Sequence, residues 1–68
     1  MKPFELRLAQ EHAQTSRHLK NLRIFIDDAS RFNRLPQQQR SLMLDQVDVL
    51  SRYVDILEER MSLLNIPI

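Results

Sequence analysis

Sixty-eight residues form at most one domain, and a chain this short hides only about 60% of its unfolded surface on folding. The hydrophobic content of 43% and the charged content of 28% are typical of globular proteins and argue against disorder. The absence of Cys excludes disulfides, so association with further copies is the expected stabilising device. The formal net charge of +1 argues against general DNA binding, because proteins that coat nucleic acids carry a large basic excess.

Membrane attachment and secretion also find no support in the sequence. No apolar run approaches the roughly 20 residues that span a bilayer. The N-terminus lacks the basic region, apolar core and cleavage site of a secretory signal. We therefore expect a cytoplasmic protein that does not bind membranes.

The chain contains no Gly, which tight β-hairpins and phosphate-binding loops both require at particular positions. The absence of Gly therefore argues against β-barrel, Walker and Rossmann architectures. Of the three Pro residues, Pro3 and Pro67 lie near the chain ends, and Pro36 divides the sequence nearly in half. This distribution predicts an all-α fold in which two long helices are joined by one turn.

The first helix is predicted over about residues 3–32, because Pro3 suits a first helical turn and apolar residues follow at spacings of threes and fours. These apolar residues are Phe4, Leu8, Leu19, Leu22, Phe25, Ile26, Ala29 and Phe32. Asn33 is expected to adopt the left-handed conformation that ends many helices. Pro36 disfavours further helix before it, so the turn is predicted over residues 33–36.

The second helix is predicted over about residues 37–65 and carries a coiled-coil seam with alternating spacings of four and three. The seam residues are Met43, Val47, Leu50, Val54, Leu57, Met61 and Leu64. Two helices of equal length can pair along their whole length, so residues 1–68 are predicted to form a single antiparallel two-helix hairpin. In that hairpin residue i lies opposite about residue 69 − i.

A second apolar line on the later helix predicts assembly of hairpins into a homo-oligomeric helical bundle. Leu42, Val49, Ile56 and Leu63 recur every seven residues beside the seam. One partner helix covers only one stripe, so these four aliphatic side chains would stay exposed. Burying each of them would contribute roughly 1.5 kcal/mol or more of stabilisation. These four residues are therefore the predicted oligomer interface.

Polar residues interrupt both stripes and indicate a ligand site. Gln46, Tyr53 and Arg60 fill the spaces within the second line, and the first helix has a polar gap at Glu11, His12, Thr15 and His18. An aromatic ring beside cationic groups suits stacking of a base and pairing with phosphates. The candidate ligand-binding residues are Tyr53, Arg60, Gln46, Arg17, Lys20 and His18.

A structural interpretation of the same residues stays open. Heptad-spaced polar residues often determine register and oligomer state, and the histidines could lie at the margin of the stripe. The charged residues could form solvated faces with pairs such as Arg23 with Asp27.

Catalysis, metal binding and cofactors are not expected. The chain has no Cys nucleophile, and its acidic pairs Asp27–Asp28 and Glu58–Glu59 are adjacent, so they diverge by about 100° on a helix. His12 and His18 are six residues apart and face different directions, which disfavours a metal site.

The turn and second helix resemble a known family over the run Phe32, Leu35, Pro36, Gln39, Leu42, Gln46, Tyr53, Leu57 and Arg60, together with Leu22 to Ile26. The family consists of small tailed-phage proteins of unknown biochemical role, named after a gene of a crAss-like phage. The resemblance implies a phage origin and expression in the cytoplasm of a host bacterium.

Three functions remain open at this point. The architecture is similar to the oligomeric helical sponges with which phages sequester nucleotide alarm signals, which implies a cyclic nucleotide or an ADP-ribose-type ligand. Alternatively, the hairpin inhibits a host defence protein by binding it. A third possibility is an RNA-binding hairpin dimer, for which the basic excess of residues 1–34 would supply phosphate contacts.

Overall fold

The structure, a computed structural model, describes all 68 residues and contains three helices: α1 over Pro3–Asp27, α2 over Ala29–Phe32 and α3 over Gln37–Leu63. It contains no strands, which confirms the predicted all-α class. The two long helices lie against each other in opposite directions, since α1 contacts α3 both through His12 with Glu58 and through Arg23 with Ser51. The result is a rod measuring 45 × 15 × 15 Å.

The first predicted helix is interrupted at Asp28, which corrects the expectation of one helix over about residues 3–32. Asp28 has φ −83° and ψ 88°, and its carboxylate accepts hydrogen bonds from the Arg31 backbone N–H at 3.3 Å and the Ser30 hydroxyl at 2.9 Å. The Arg31 Nε also donates to this carboxylate at 2.8 Å, while the guanidinium lies 5.0 Å from the centroid of the Phe25 ring. Asp28 therefore caps α2 and is not merely a solvated surface charge.

These contacts also change the acidity of Asp28. Hydrogen bonding from Ser30, followed by that from Arg31, lowers the pKa of Asp28, because both donors favour the charged carboxylate.

The left-handed residue lies at the other end of the hairpin from the predicted one. Asn33 is right-handed, with φ −70° and ψ −12°, whereas Asn65 has φ 57°. The chain reverses through residues 33–36 without a positive φ, since a short helical turn at α2 leads into the extended Pro36. The prediction for Asn33 was wrong because the helical turn continues past it: the Arg34 N–H donates to the Arg31 carbonyl at 3.2 Å, and the Leu35 N–H donates to the Phe32 carbonyl at 3.1 Å.

The end of α3 is shaped by Asn65, and the helix stops at Leu63 instead of near residue 65. The Ile66 N–H donates to the Met61 carbonyl at 2.9 Å, and the Asn65 N–H donates to the Ser62 carbonyl at 3.1 Å. This pair of bonds around a left-handed residue is the Schellman motif. It turns Ile66 back onto the hairpin, where Ile66 is buried.

The buried core is small and concentrated at the end of the rod where the chain termini meet. Five residues are buried: Leu8, Leu19, Leu57, Met61 and Ile66. All of these except Leu19 form one cluster, in which Leu57 is fully inaccessible. Most other seam residues are only half-buried, so a single hairpin covers its apolar surface incompletely.

Replacing Leu57 with Ala should lower the free energy of unfolding by about 2–5 kcal/mol, because the change removes burial and leaves a cavity at the centre of the cluster. Urea denaturation followed by circular dichroism at one fixed protein concentration measures this loss. The matched control is Ile24→Ala on the exposed face of α1, which should change the free energy of unfolding by at most about 0.5 kcal/mol. Equal losses in the two variants would contradict the placement of the core.

Candidate functional site

The polar gap of α1 is bridged to α3 by a direct contact. The Nε2 atom of His12 lies 2.9 Å from Oε2 of Glu58, and the Ser16 hydroxyl lies 3.4 Å from the same ring nitrogen. The His12 side chain is only 14% exposed. This pairing agrees with the predicted register of residue i opposite about 69 − i. His12 therefore links the helices and is not free to bind a ligand.

A second group of polar residues lies on the opposite side of the seam. Arg60 follows the buried Leu57 by three residues and Tyr53 precedes it by four, which places both on the side away from Glu58. A hydrogen bond with Glu11 on α1 raises the pKa of Tyr53, partial burial raises it further, and the charge of Arg60 acts in the opposite direction. Glu11, Tyr53 and Arg60 thus share one edge of the hairpin.

This edge opens into a shallow groove of about 340 Å³ near the chain termini. Its lining residues are Phe4, Arg7, Leu8, Glu11 and Arg60. The ion pairs of the chain are His12 with Glu58 and Asp28 with Arg31, so the guanidinium groups of Arg7 and Arg60 have no carboxylate within 4.0 Å. Two unpaired cations that line one groove can attract an anion.

Arg60 also borders a second surface depression of about 420 Å³, which it lines with Ile56, Glu59, Ser62 and Leu63. Its side chain therefore lies on the ridge between the groove and the apolar line of α3. A molecule or a second chain that covered this line would approach the groove as well.

The apolar line itself is uncovered in the single chain. The exposed fraction of its members runs from 38% at Ile56, through 61% at Leu42 and 68% at Val49, to 85% at Leu63. Apolar side chains exposed at every seventh position form a continuous surface along a long helix. Surfaces of this kind pair with another helix. The oligomer interface at these residues stays a prediction.

The other candidate residues are divided between this edge and the outer surface. Gln46 precedes Tyr53 by seven residues and His18 follows Glu11 by seven, so both extend the same edge and both are exposed. Arg17 and Lys20 are exposed on α1, and no hydrogen bond or ion pair links them to α3. The structure brings Tyr53 and Arg60 together but does not bring Arg17 or Lys20 to them.

Arg23 also lies on α1, and the sequence had left open an ion pair between it and Asp27. Its Nη2 atom donates to the Ser51 hydroxyl at 3.4 Å, and no ion pair joins it to Asp27. Arg23 is therefore a cross-helix contact on the side of the seam opposite to Tyr53.

Two groove residues were absent from the candidate set. Phe4 had been placed in the apolar stripe of the first helix, and Arg7 had been given no role of its own. A signal for both was present: with residue i opposite about 69 − i, Arg60 faces the first turns of α1, where Phe4, Arg7 and Glu11 recur at spacings of three and four.

Tyr53 allows a direct test of this edge, because it is the only Tyr in a chain without Trp, so ultraviolet titration reports one phenol. We expect its pKa to exceed the usual value of about 10 and to fall toward that value in Glu11→Gln. Because the folded-state pKa is the higher one, the stabilisation by the neutral hydroxyl is complete below about pH 10. It is lost as the pH rises through the folded-state pKa.

Circular dichroism across the same pH range verifies that the protein stays folded during the titration. Asp48→Asn, which removes an exposed carboxylate elsewhere on α3, is the matched control and should leave the titration unchanged. A wild-type midpoint at or below about 10 would show that Glu11 does not contact the phenol.

No helix in the chain combines the length and the sustained hydrophobicity needed to cross a membrane. Residues 2–63 match the family model described as Sequestin. Neither the curated proteins nor the solved structures contain a significant match. The matched description carries neither the crAss-like name nor a phage origin, so both stay predictions.

Proposed function

This chain belongs to the Sequestin family, and from that premise we propose that it is a non-enzymatic homo-oligomer that binds and sequesters a nucleotide signal of host immunity. The family name denotes sequestration, a task that requires affinity and abundance but no turnover. The proposed setting is phage counter-defence in the cytoplasm of an infected bacterium.

The single observation that carries this proposal is the shared position of Arg60. This side chain lines the groove with Arg7 and Glu11, and it also lines the depression that contains Ile56 and Leu63 of the apolar line. If copies associate through that line, the neighbouring copy lies beside the groove and deepens it. Assembly and ligand binding are then two uses of one surface, and the site is incomplete in a single hairpin.

The groups at this edge suit a cyclic nucleotide or an ADP-ribose-type molecule. Tyr53 supplies a ring on which a base can stack, and Arg60 supplies a planar guanidinium that can pair with two phosphate oxygens. Gln46 and His18 extend the edge with hydrogen-bonding groups. Arg17 and Lys20 lie on the outer surface of α1 and would reach the same phosphates only from a neighbouring copy.

The chemistry of the edge also favours binding over catalysis. The carboxylate at the groove, Glu11, interacts with the Tyr53 hydroxyl, and His12 is occupied by Glu58 across the hairpin. A phenol whose pKa is raised stays protonated at neutral pH and serves as a hydrogen-bond donor and stacking surface.

The assembly is tested with Val49→Glu, which places a charge in the middle of the apolar line. We expect wild-type protein to sediment as an oligomer at micromolar concentration, and the variant to dissociate at concentrations at least about tenfold higher, a loss of about 1.4 kcal/mol or more. Gln38→Glu, a charge added at an exposed position of α3, is the matched control and should leave assembly unchanged. A monomeric wild type would contradict the proposal.

Ligand binding is tested by calorimetry against a panel of cyclic dinucleotides, cyclic trinucleotides and ADP-ribose derivatives. Arg60→Ala should weaken binding by about 10- to 100-fold, because a charge-assisted hydrogen bond is worth about 1.5–3 kcal/mol. Arg34→Ala, in the turn at the other end of the hairpin, should bind as wild type does.

Two results would count against this proposal. If no member of the panel gives a heat of binding, the ligand is not a nucleotide of these classes. If Arg60→Ala no longer forms the oligomer, Arg60 instead determines the register of the assembly. Heptad-spaced polar residues in a seam often have this role.

A further inference from the structure

We infer that the groove lined by Phe4, Arg7, Glu11 and Arg60 holds the phosphoribosyl part of the ligand, and that Glu11 selects ligands with free ribose hydroxyls. This inference rests on the proposed function and deepens it. It assigns ligand roles to Phe4, Arg7 and Glu11, which lie on the first three turns of α1.

The groove offers a site for phosphate. Arg7 and Arg60 come from different helices and line one groove, and neither has a carboxylate within ion-pairing distance. Two guanidinium groups and the single carboxylate of Glu11 in the lining leave a net positive site. A phosphate can therefore bind at the arginines, although Glu11 repels it.

Glu11 is the group in this groove that can accept hydrogen bonds from ribose hydroxyls. A carboxylate has about four acceptor positions, and the Tyr53 hydroxyl can occupy only one of those of Glu11. Glu11 is otherwise exposed, so its remaining positions face the groove and solvent. A ligand must present donors there, and ribose hydroxyls are donors that carboxylates bind in nucleotide sites. A bare pyrophosphate has none, so Glu11 only repels it while the arginines attract it.

The size of the groove and the Phe4 ring also fit this part of the ligand. The groove volume of about 340 Å³ lies at the lower end of the range for small-molecule pockets, about 300–1,000 Å³, which suits a phosphoribosyl group better than a whole dinucleotide. Phe4 is 45% exposed at the rim, so its ring is available to the sugar or to a base that extends out of the groove. The remainder of the ligand then extends along the edge toward Tyr53.

Calorimetry with two probes, ADP-ribose and inorganic pyrophosphate, tests this assignment on the wild-type oligomer. Glu11→Gln should weaken ADP-ribose binding at least about tenfold, because a neutral amide oxygen accepts ribose hydroxyls more weakly than a carboxylate does. Pyrophosphate should bind equally or more tightly, because the repulsion by Glu11 is removed. Arg7→Ala should weaken both probes. Glu11→Asp, which keeps the charge but shortens its reach, should fall between wild type and Glu11→Gln for ADP-ribose.

The experiment distinguishes failure of this inference from failure of the proposed function. Asp48→Asn and Arg34→Ala should leave both probes unaffected, and circular dichroism should show unchanged helicity in every variant. Equal weakening of both probes by Glu11→Gln, or no effect on either, would overturn the role of Glu11. If wild type binds a cyclic nucleotide but not ADP-ribose, this inference fails while sequestration stands. If nothing in the panel binds, both fail.

Discussion

Burial of Leu57 against α1 is the contact on which the rest of the hairpin depends. Leu57 lies at the centre of the cluster with Leu8, Met61 and Ile66, and this packing sets the register that brings His12 to Glu58 and Glu11 to Tyr53. The same packing limits how much apolar surface the hairpin can bury. A single partner helix shields one stripe of α3, so the line through Val49 and Leu63 is left in water. A chain with five buried residues has little apolar burial to offset its conformational entropy, and covering that line would add to this burial.

The two sides of the seam have different chemical characters. On one side, His12 with Glu58 and Arg23 with Ser51 join the helices through their polar side chains. On the other side, Arg7 and Arg60 have no acidic partner, and Glu11 of α1 raises the pKa of Tyr53 of α3. The side with unpaired cations is also the side that borders the exposed apolar line. The proposed ligand site and the proposed interface are therefore adjacent for a geometric reason, because positions Tyr53 and Arg60 lie between the seam and that line on α3.

Much of the architecture followed from the sequence through periodicity and the absence of Gly. A seam spaced by fours and threes, interrupted by Pro36, left few alternatives to two long antiparallel helices. The failures came from residues whose roles depend on backbone hydrogen bonds. Asp28 breaks the first helix through contacts with Ser30 and Arg31, and Asn65 rather than Asn33 takes the left-handed conformation. Aspartate and asparagine favour such positions, but several compete along the chain, and only the path of the backbone decides which of them is used.

For the candidate site, the sequence by itself determined which residues of α3 share an edge, because positions such as Tyr53 and Arg60, seven apart, face the same way on any helix. It also determined that α3 has more apolar surface than one partner helix can cover. Only the tertiary structure decided which residues of α1 meet that edge. Those contacts depend on the rotation of one helix about its axis against the other, and this rotation is set by how Leu8, Met61 and Ile66 pack together, which helical periodicity does not specify.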